Sequence, residues 1–259
     1  MEFNSKTILI TGATGGLGKE MVKAFNREGA KLILSDLNKE SLESLKNSYS
    51  DSVLGTIEAD LTNEESCRSL VETTLSRYGV PDILINNAGI ATFGKFCDTP
   101  EEKWESIISL NILAPMRITY PILKKMKDRK SGYIVNISSV AGLIAVPGLV
   151  AYSTSKFAIK AFGEALFNEY KENGIYVSNL YPFFTDTPIL QSEQYGFKDK
   201  KVIPEFLLST PKDVIKDLLN GMRKKELHIY PGMVSQSIDM ISRIFPGFME
   251  SFSRGQIAH

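Results

Sequence analysis

The chain has 259 residues, 43% hydrophobic and 23% charged, enough apolar mass for a large buried core, which excludes intrinsic disorder and a short disulfide-stapled scaffold. Its 30 Lys plus Arg balance 30 Asp plus Glu, so no net field draws it to nucleic acid or to an anionic membrane, and partners must be recognised locally.

Apolar runs bounded by Gly, Asn, Asp and Pro alternate with segments of helical period from the N-terminus to about Tyr230. In chain order the pattern predicts a strand at Thr7 to Thr11, a helix at Leu17 to Glu28, a strand at Lys31 to Ser35 and a helix at Lys39 to Ser48. A strand at Val53 to Ala59, a helix at Glu64 to Tyr78, a strand at Ile83 to Asn86 and one long helix at Glu101 to Lys127 follow. Strands at Tyr133 to Ser138 and Tyr176 to Leu180 flank a helix at Ala151 to Asn173. The strand runs are mostly continuous rather than alternating, as suits strands buried on both faces. Right-handed crossovers then give an α/β fold, a single doubly wound Rossmann-like domain over residues 1–259 with a parallel sheet and helices on both faces. No repeat, low-complexity tract or linker divides it. The run Lys124, Lys125, Lys127, Arg129, Lys130 falls where cations favour a helix C-terminus, and is read as a solvated helix end.

Directly after the first strand comes Thr11-Gly-Ala-Thr-Gly-Gly-Leu-Gly18, opening into a helix. Gly12, Gly16 and Gly18 let the backbone turn tightly and approach a pyrophosphate, whose charge meets the free N–H groups of the helix start. The spacing differs from G-x-G-x-x-G. The second strand ends at Asp36, about 20 residues on, where a dinucleotide fold places an acid for the adenine ribose hydroxyls. A carboxylate there repels a 2′-phosphate and neither Gly15 nor Leu37 compensates, so NAD is expected over NADP. The bland alternative for Asp36 is a cap on the next helix.

Tyr152 and Lys156 are four apart, so a helix puts both on one face. A phenol of pKa ~10 is a poor acid or base at neutral pH, but a nearby ammonium favours phenolate. Ser139 closes the preceding strand, at the end where open α/β sheets bind ligands. With these residues the sequence resembles the short-chain dehydrogenase/reductase family from Thr7 to about Thr187. The glycine segment, including Thr14 and Leu17, is similar to the family's cofactor loop, Asp60-Leu61 to its adenine-contacting pair, and Asn86-Asn87-Ala88-Gly89 to the segment after the fourth strand. Asn111, Ser139, Tyr152 and Lys156 match the family's catalytic tetrad. The resemblance implies that Tyr152 exchanges a proton with the substrate oxygen and Ser139 holds that oxygen. Lys156 then binds the nicotinamide ribose and lowers the tyrosine pKa, and Asn111 keeps a relay water. Pro182 and Thr187 match cofactor contacts, but Phe183 stands where the family has glycine, a change of backbone path or of pocket wall. The alternatives to a catalytic reading are helix-internal hydrogen bonding for Asn111 and a strand-end turn for Ser139.

The segment 188–207, with Tyr195, Gly196 and Phe197, is expected to form a substrate lid. Phe183, Phe184, Leu143 and the apolar run before Tyr152 suggest a lipophilic small-molecule alcohol or ketone, with no cation for a carboxylate or phosphate. The tail 231–259 carries Val234, Ile238, Ile241, Phe245, Phe248 and Phe252 on one helical face, broken at Pro246-Gly247. It is read as packing on its own domain or a partner subunit, with a substrate cover or, aided by Arg243 and Arg254, a peripheral membrane contact as alternatives. The resemblance implies a homo-oligomer, with a homodimer or homotetramer expected. Cys67 and Cys97 form no C-x-x-C and only His228 and His259 could join them, so no metal site is expected. No charged-then-apolar leader follows Met1, which favours the cytoplasm. The longest apolar run, Val140 to Ala151, is shorter than the ~20 residues of a spanning helix and is interrupted by Gly142, Pro147 and Gly148, so no transmembrane span is expected. The expected activity is NAD-dependent hydride transfer. The rivals are a 3-oxoacyl-thioester reductase, which Asp36 disfavours, and a non-catalytic nicotinamide-binding redox sensor, which has no need of a filled tetrad.

Overall fold

All six runs read as strands join one sheet in the computed structural model, which describes residues 2–196, 204 and 208–244. The first half holds β1 (Thr7–Thr11), α1 (Gly16–Arg27), β2 (Lys31–Asp36), α2 (Lys39–Ser48), β3 (Val53–Glu58), α3 (Glu64–Arg77) and β4 (Ile83–Asn86). Then come β5 (Phe93–Gly94), α4 (Glu101–Ile108), α5 (Ala114–Asp128), β6 (Gly132–Ile137), α6 (Val150–Tyr170) and β7 (Ile175–Leu180). The last described elements are β8 (Gln194–Tyr195), α7 (Pro211–Lys224), β9 (His228–Ile229) and α8 (Gly232–Ile244).

The seven-stranded sheet runs β3-β2-β1-β4-β6-β7-β9, parallel at every pair. Strand order reverses between β1 and β4, so the crossovers leave to opposite faces there and open a crevice at the C-terminal strand ends. Because side chains alternate along a strand, Ile8 and Ile10 join a core with α1, α2 and α7, while Leu9 joins a second with α3, α5 and α6. The fold class expected from the run pattern is the one observed.

The long helix departs from expectation. It divides at Ser109–Leu113 into a π turn. Pro115 has no N–H, so the Asn111 carbonyl loses its α-helical donor, and the chain absorbs the defect as a wider turn. The stretch Glu101–Asp128 is apolar enough by composition to cross a bilayer, yet Ile107, Ile118, Ile122 and Met126 on it are buried within the protein.

α7 and β9 were not singled out by the run pattern. α7 carries its own signal, since Thr210 caps it by accepting from the Asp213 N–H at 3.1 Å, with Pro211 in the first turn. β9, β5 and β8 are two residues each, too short for any periodicity. The basic run is an exposed helix end as expected, and within it the Arg129 guanidinium donates to the Val80, Pro81 and Ser131 carbonyls.

A polar ladder crosses the buried middle of the sheet. Register sets Asn86, Asn136 and Asn179 side by side on β4, β6 and β7. Asn86 Nδ2 donates to Asn136 Oδ1 at 2.9 Å, Asn136 Nδ2 to Asn179 Oδ1 at 3.1 Å, and Asn179 Nδ2 to the Lys160 carbonyl at 3.0 Å. Gly163 admits it, since a Cβ there would overlap the Asn179 amide. Asn136→Ala leaves groups on both neighbours unpaired and is expected to lower stability by roughly 2–4 kcal/mol in urea unfolding. A loss below about 1 kcal/mol would show that the ladder holds nothing together.

Candidate active site

The loop between β1 and α1 is shaped for close approach. Gly12 has φ +63°, and a Cβ on it would lie 2.7 Å from the Ala88 Cα. A Cβ on Gly18 would overlap the Gly12 carbonyl, and one on Gly16 would sit 2.5 Å from Thr187 Cγ2. α1 starts at Gly15 with no side-chain cap and no acid in its first turn, whereas Asn38, Asn63 and Thr210 cap α2, α3 and α7. Its first N–H groups therefore face the crevice free of protein acceptors from a cap, a fit for a pyrophosphate.

Two side chains hold this loop. The Thr11 hydroxyl donates to the Ile85 carbonyl at 3.2 Å and accepts from the Asn87 and Ala88 N–H groups at 3.0 and 3.2 Å. Asn87 Nδ2 donates to the Thr11 and Gly12 carbonyls at 2.9 and 2.8 Å. The Thr11 side chain went unrecognised in the sequence, where it reads as one more strand residue.

Asp36 closes β2 and accepts from the Thr14 N–H at 2.9 Å and from the Leu37 N–H at 2.8 Å. The helix cap is Asn38, which accepts from the Ser41 N–H, so the capping alternative for Asp36 fails. Asp60 accepts from the Thr62 N–H and hydroxyl beside the buried Leu61.

Tyr152 and Lys156 occupy the first turns of α6. Lys156 Nζ donates to the Ile137 carbonyl at 2.9 Å and lies 5.4 Å from the Tyr152 ring centroid. Ser139 caps the short turn Val140–Gly142 by accepting from the Ala141 N–H at 3.1 Å, so the turn role and the site role coexist. Asn111 makes no helix-internal bond. Its amide donates to the Ile90 carbonyl and to Ser155 Oγ, and accepts from the Ile90 N–H. At 1% exposure it stands behind the cavity wall, while the other candidate residues, Gly89, Pro182 and Thr187 among them, line the cavity. Ser155, missed in the sequence, also donates to the Tyr152 carbonyl at 2.7 Å and so ties the π turn to α6.

After β7, the Pro182 carbonyl accepts from the Val140 N–H at 3.0 Å. Phe183 takes the family's glycine position without a positive φ, and its ring meets Phe184 at 4.6 Å between centroids on the cavity wall. The substitution thus changes the pocket wall and asks for no left-handed backbone. Of the expected lid, β8 pairs with β5, and Phe197 lies outside the described residues. Of the tail, α8 lies against its own domain and turns Val234, Ile238 and Ile241 to the cavity. Phe245, Pro246, Gly247, Phe248, Phe252 and Arg254 lie outside the described residues. The cavity spans about 1200 Å³ from Asp36 to α8.

A short chain dehydrogenase family model matches residues 6–196. The zebrafish (Danio rerio) protein named dehydrogenase/reductase SDR family member 7B is 34% identical over 232 residues, 85% of this chain and 75% of that protein. A short-chain dehydrogenase from Sphingobium yanoikuyae, solved with NADPH, superposes with a TM-score of 0.81 at 30% identity, covering 95% of both chains. The bulky-bulky ketone specific alcohol dehydrogenase of Comamonas testosteroni gives 0.79 at 27% identity, covering 95% of this chain and 94% of that one.

Burial dominates the electrostatics of the pair on α6. It pushes the Tyr152 phenol up to about 12, with the Ser139 hydroxyl bond pulling the other way, and pushes the Lys156 ammonium down to about 8. The expected lowering of the phenol by Lys156 is thus outweighed in the protein alone, because both groups leave water together. A lysine whose folded pKa is depressed takes up fewer protons than the unfolded chain, so its contribution to stability rises with pH between about 8 and 10.5. Wild type is expected to gain about 3 kcal/mol on Lys156→Met across that window, with Tyr152 common to both. Urea unfolding from pH 7.5 to 10.5 reads this, and parallel curves would overturn it.

Proposed function

This chain belongs to the short-chain dehydrogenase/reductase family, and from that premise we propose that it is an NAD-dependent oxidoreductase of lipophilic secondary alcohols and ketones. The observation that carries the reading is one cavity that joins Asp36, the Tyr152 and Lys156 pair with Ser139, and an apolar far wall. When bound, the nicotinamide supplies the hydride exchange at its C4 and, when oxidised, a positive charge that favours the Tyr152 phenolate.

The chain's own groups do the rest. Gly12, Thr14, Gly16, Leu17 and Gly18 would seat the pyrophosphate, Asp36 would take the adenine ribose hydroxyls, and Asp60 and Leu61 would hold the adenine. Asn87, Ala88, Gly89, Pro182 and Thr187 would hold the nicotinamide half. Ser139 Oγ holds the substrate oxygen, and Tyr152 Oη donates its proton there as a carbonyl is reduced, or takes it as an alcohol is oxidised. Lys156 spends one donor on Ile137 and keeps two for a ribose and for the phenolate that reduction leaves. Asn111 is a positioning residue that fixes Ile90 and the π turn, and so the relay path behind Lys156.

NAD is favoured because Lys156 is the one cation on the cavity lining among the described residues. It is seated at β6, three strands or about 14 Å from the β2 end where a 2′-phosphate would sit. The Sphingobium neighbour took NADPH, so Asp36 is the point to test. The Comamonas neighbour's bulky ketones agree with the wall of Phe183, Phe184 and α8. Exposed apolar side chains on two helices, Leu113, Met116 and Tyr120 around the start of α5 and Val150 and Phe157 on α6, support a homo-oligomer. Free Cys67 and Cys97 support a reducing compartment such as the cytoplasm.

On a panel of lipophilic secondary alcohols and ketones, Tyr152→Phe is expected to lower kcat by about 100- to 10,000-fold while NADH still binds. Asp36→Ala is expected to cut the NAD over NADP preference by about 10- to 100-fold. Preference of the wild type for NADP(H) would overturn the Asp36 assignment. Light scattering should give a mass above one chain that Phe157→Glu reduces.

A further inference from the structure

α8 is an amphipathic helix whose apolar stripe is not packed into the core. Val234, Ile238 and Ile241 repeat at the helical spacing on one face, yet the buried residue of this helix is Ser235. The stripe instead lines the cavity, together with Val140, Ala141 and Ile144 of the segment between β6 and α6.

What holds α8 in place is polar and lies at its flanks. Arg243 Nη2 donates to Tyr230 Oη at 3.0 Å and pairs with Asp239 at 3.0 Å. Gln236 Nε2 donates to the Tyr230 carbonyl at 3.3 Å, and the Gly232 N–H donates to Asp217 at 3.0 Å. Tyr230 stacks on Tyr181, the residue before Pro182, at 5.0 Å between centroids. The helix is therefore fixed relative to the reacting end of the site, with Val234 exposed and Ile238 and Ile241 half-buried on the cavity wall.

The space it closes is generous. At about 1200 Å³ the cavity exceeds the roughly 300–1,000 Å³ of a pocket for one small ligand, so it has room for a second apolar group beside a dinucleotide. The described lining at the α8 end is apolar, with Val234, Ile238 and Ile241 on the helix, and so favours an apolar group over a charged one.

We propose that the inner face of α8, centred on Ile238, is the gauge for an uncharged, elongated apolar arm on the carbonyl or carbinol substrate, and that it sets the preferred chain length. This rests on the oxidoreductase reading above. Each methylene brought against such a wall is worth roughly four-fold in kcat/KM until the arm reaches it, after which added carbons gain nothing.

The test is NADH-dependent reduction of the methyl ketone series from 2-butanone to 2-tetradecanone by the full chain, with NADH affinity followed by its fluorescence. Ile238→Trp is expected to move the plateau to shorter ketones, costing about ten-fold or more on the longest while 2-butanone stays within about two-fold. Ile241→Ala is expected to move it to longer ones. Met240→Trp, on the exposed outer face of α8, should leave the profile and NADH binding as in wild type. Profiles of Ile238→Trp and Ile241→Ala that run parallel to wild type would overturn the gauge alone. A wild type that binds NADH but reduces no member of the series would overturn the ketone reading and the gauge with it.

Discussion

The Thr11 hydroxyl sits where β1 and β4 meet, and its three hydrogen bonds fix the distance between the two chain segments that diverge there. Parallel strands open a crevice wherever strand order reverses, but an open crevice is only a gap unless its lips are held. Thr11 and Asn87 hold them. The Asn87 amide spans to the Thr11 and Gly12 carbonyls, which sets the left-handed turn at Gly12 against Ala88 and leaves no space for a side chain. The uncapped start of α1 and the carboxylate of Asp36 take their positions from that turn, through the Thr14 N–H on Asp36. A crevice lined by many residues thus depends on one hydroxyl and one side-chain amide.

The reacting end follows a different logic. There the protein takes a phenol and an ammonium out of water side by side, and both are driven toward their neutral forms. Left to itself this is an unfavourable place for a phenolate, so the pair is poised to respond to charge brought in from outside. Asn111, Ile90 and Ser155 form the frame that keeps the pair in place, a set of buried bonds reaching from the π turn to the first turns of α6.

The doubly wound sheet was legible because continuous apolar runs such as Ile83 to Asn86 are an unambiguous sign of burial on both faces, and the glycine segment carried its meaning in its place between strand and helix. Tyr152 and Lys156 could be paired from helical spacing alone. The π turn was concealed by a helical period that continues through it; only Pro115, by its missing N–H, pointed to the defect. Asn136 and Asn179 read as ordinary strand residues, because a ladder across strands is set by register, which no single run records. Phe183 was legible as a departure but not as to its effect, which the negative φ decides. α8 showed its apolar face plainly. Whether that face met core, partner or open space depended on β9 and Tyr230, elements too short to announce themselves.

That α8 hangs from Tyr230 and Asp217 rather than from core packing separates two kinds of selection. A change at Val234, Ile238 or Ile241, exposed or half-buried on the cavity wall, removes less buried area than a change of similar size at Ile118 or Leu84, which opens a void in a close-packed interior. Substrate range can therefore drift quickly in a lineage while the sheet, the glycine turn and the tetrad stay fixed. Paralogues descended from such a chain would be expected to differ first in the helix that corresponds to α8, and to resemble one another least where they are easiest to alter.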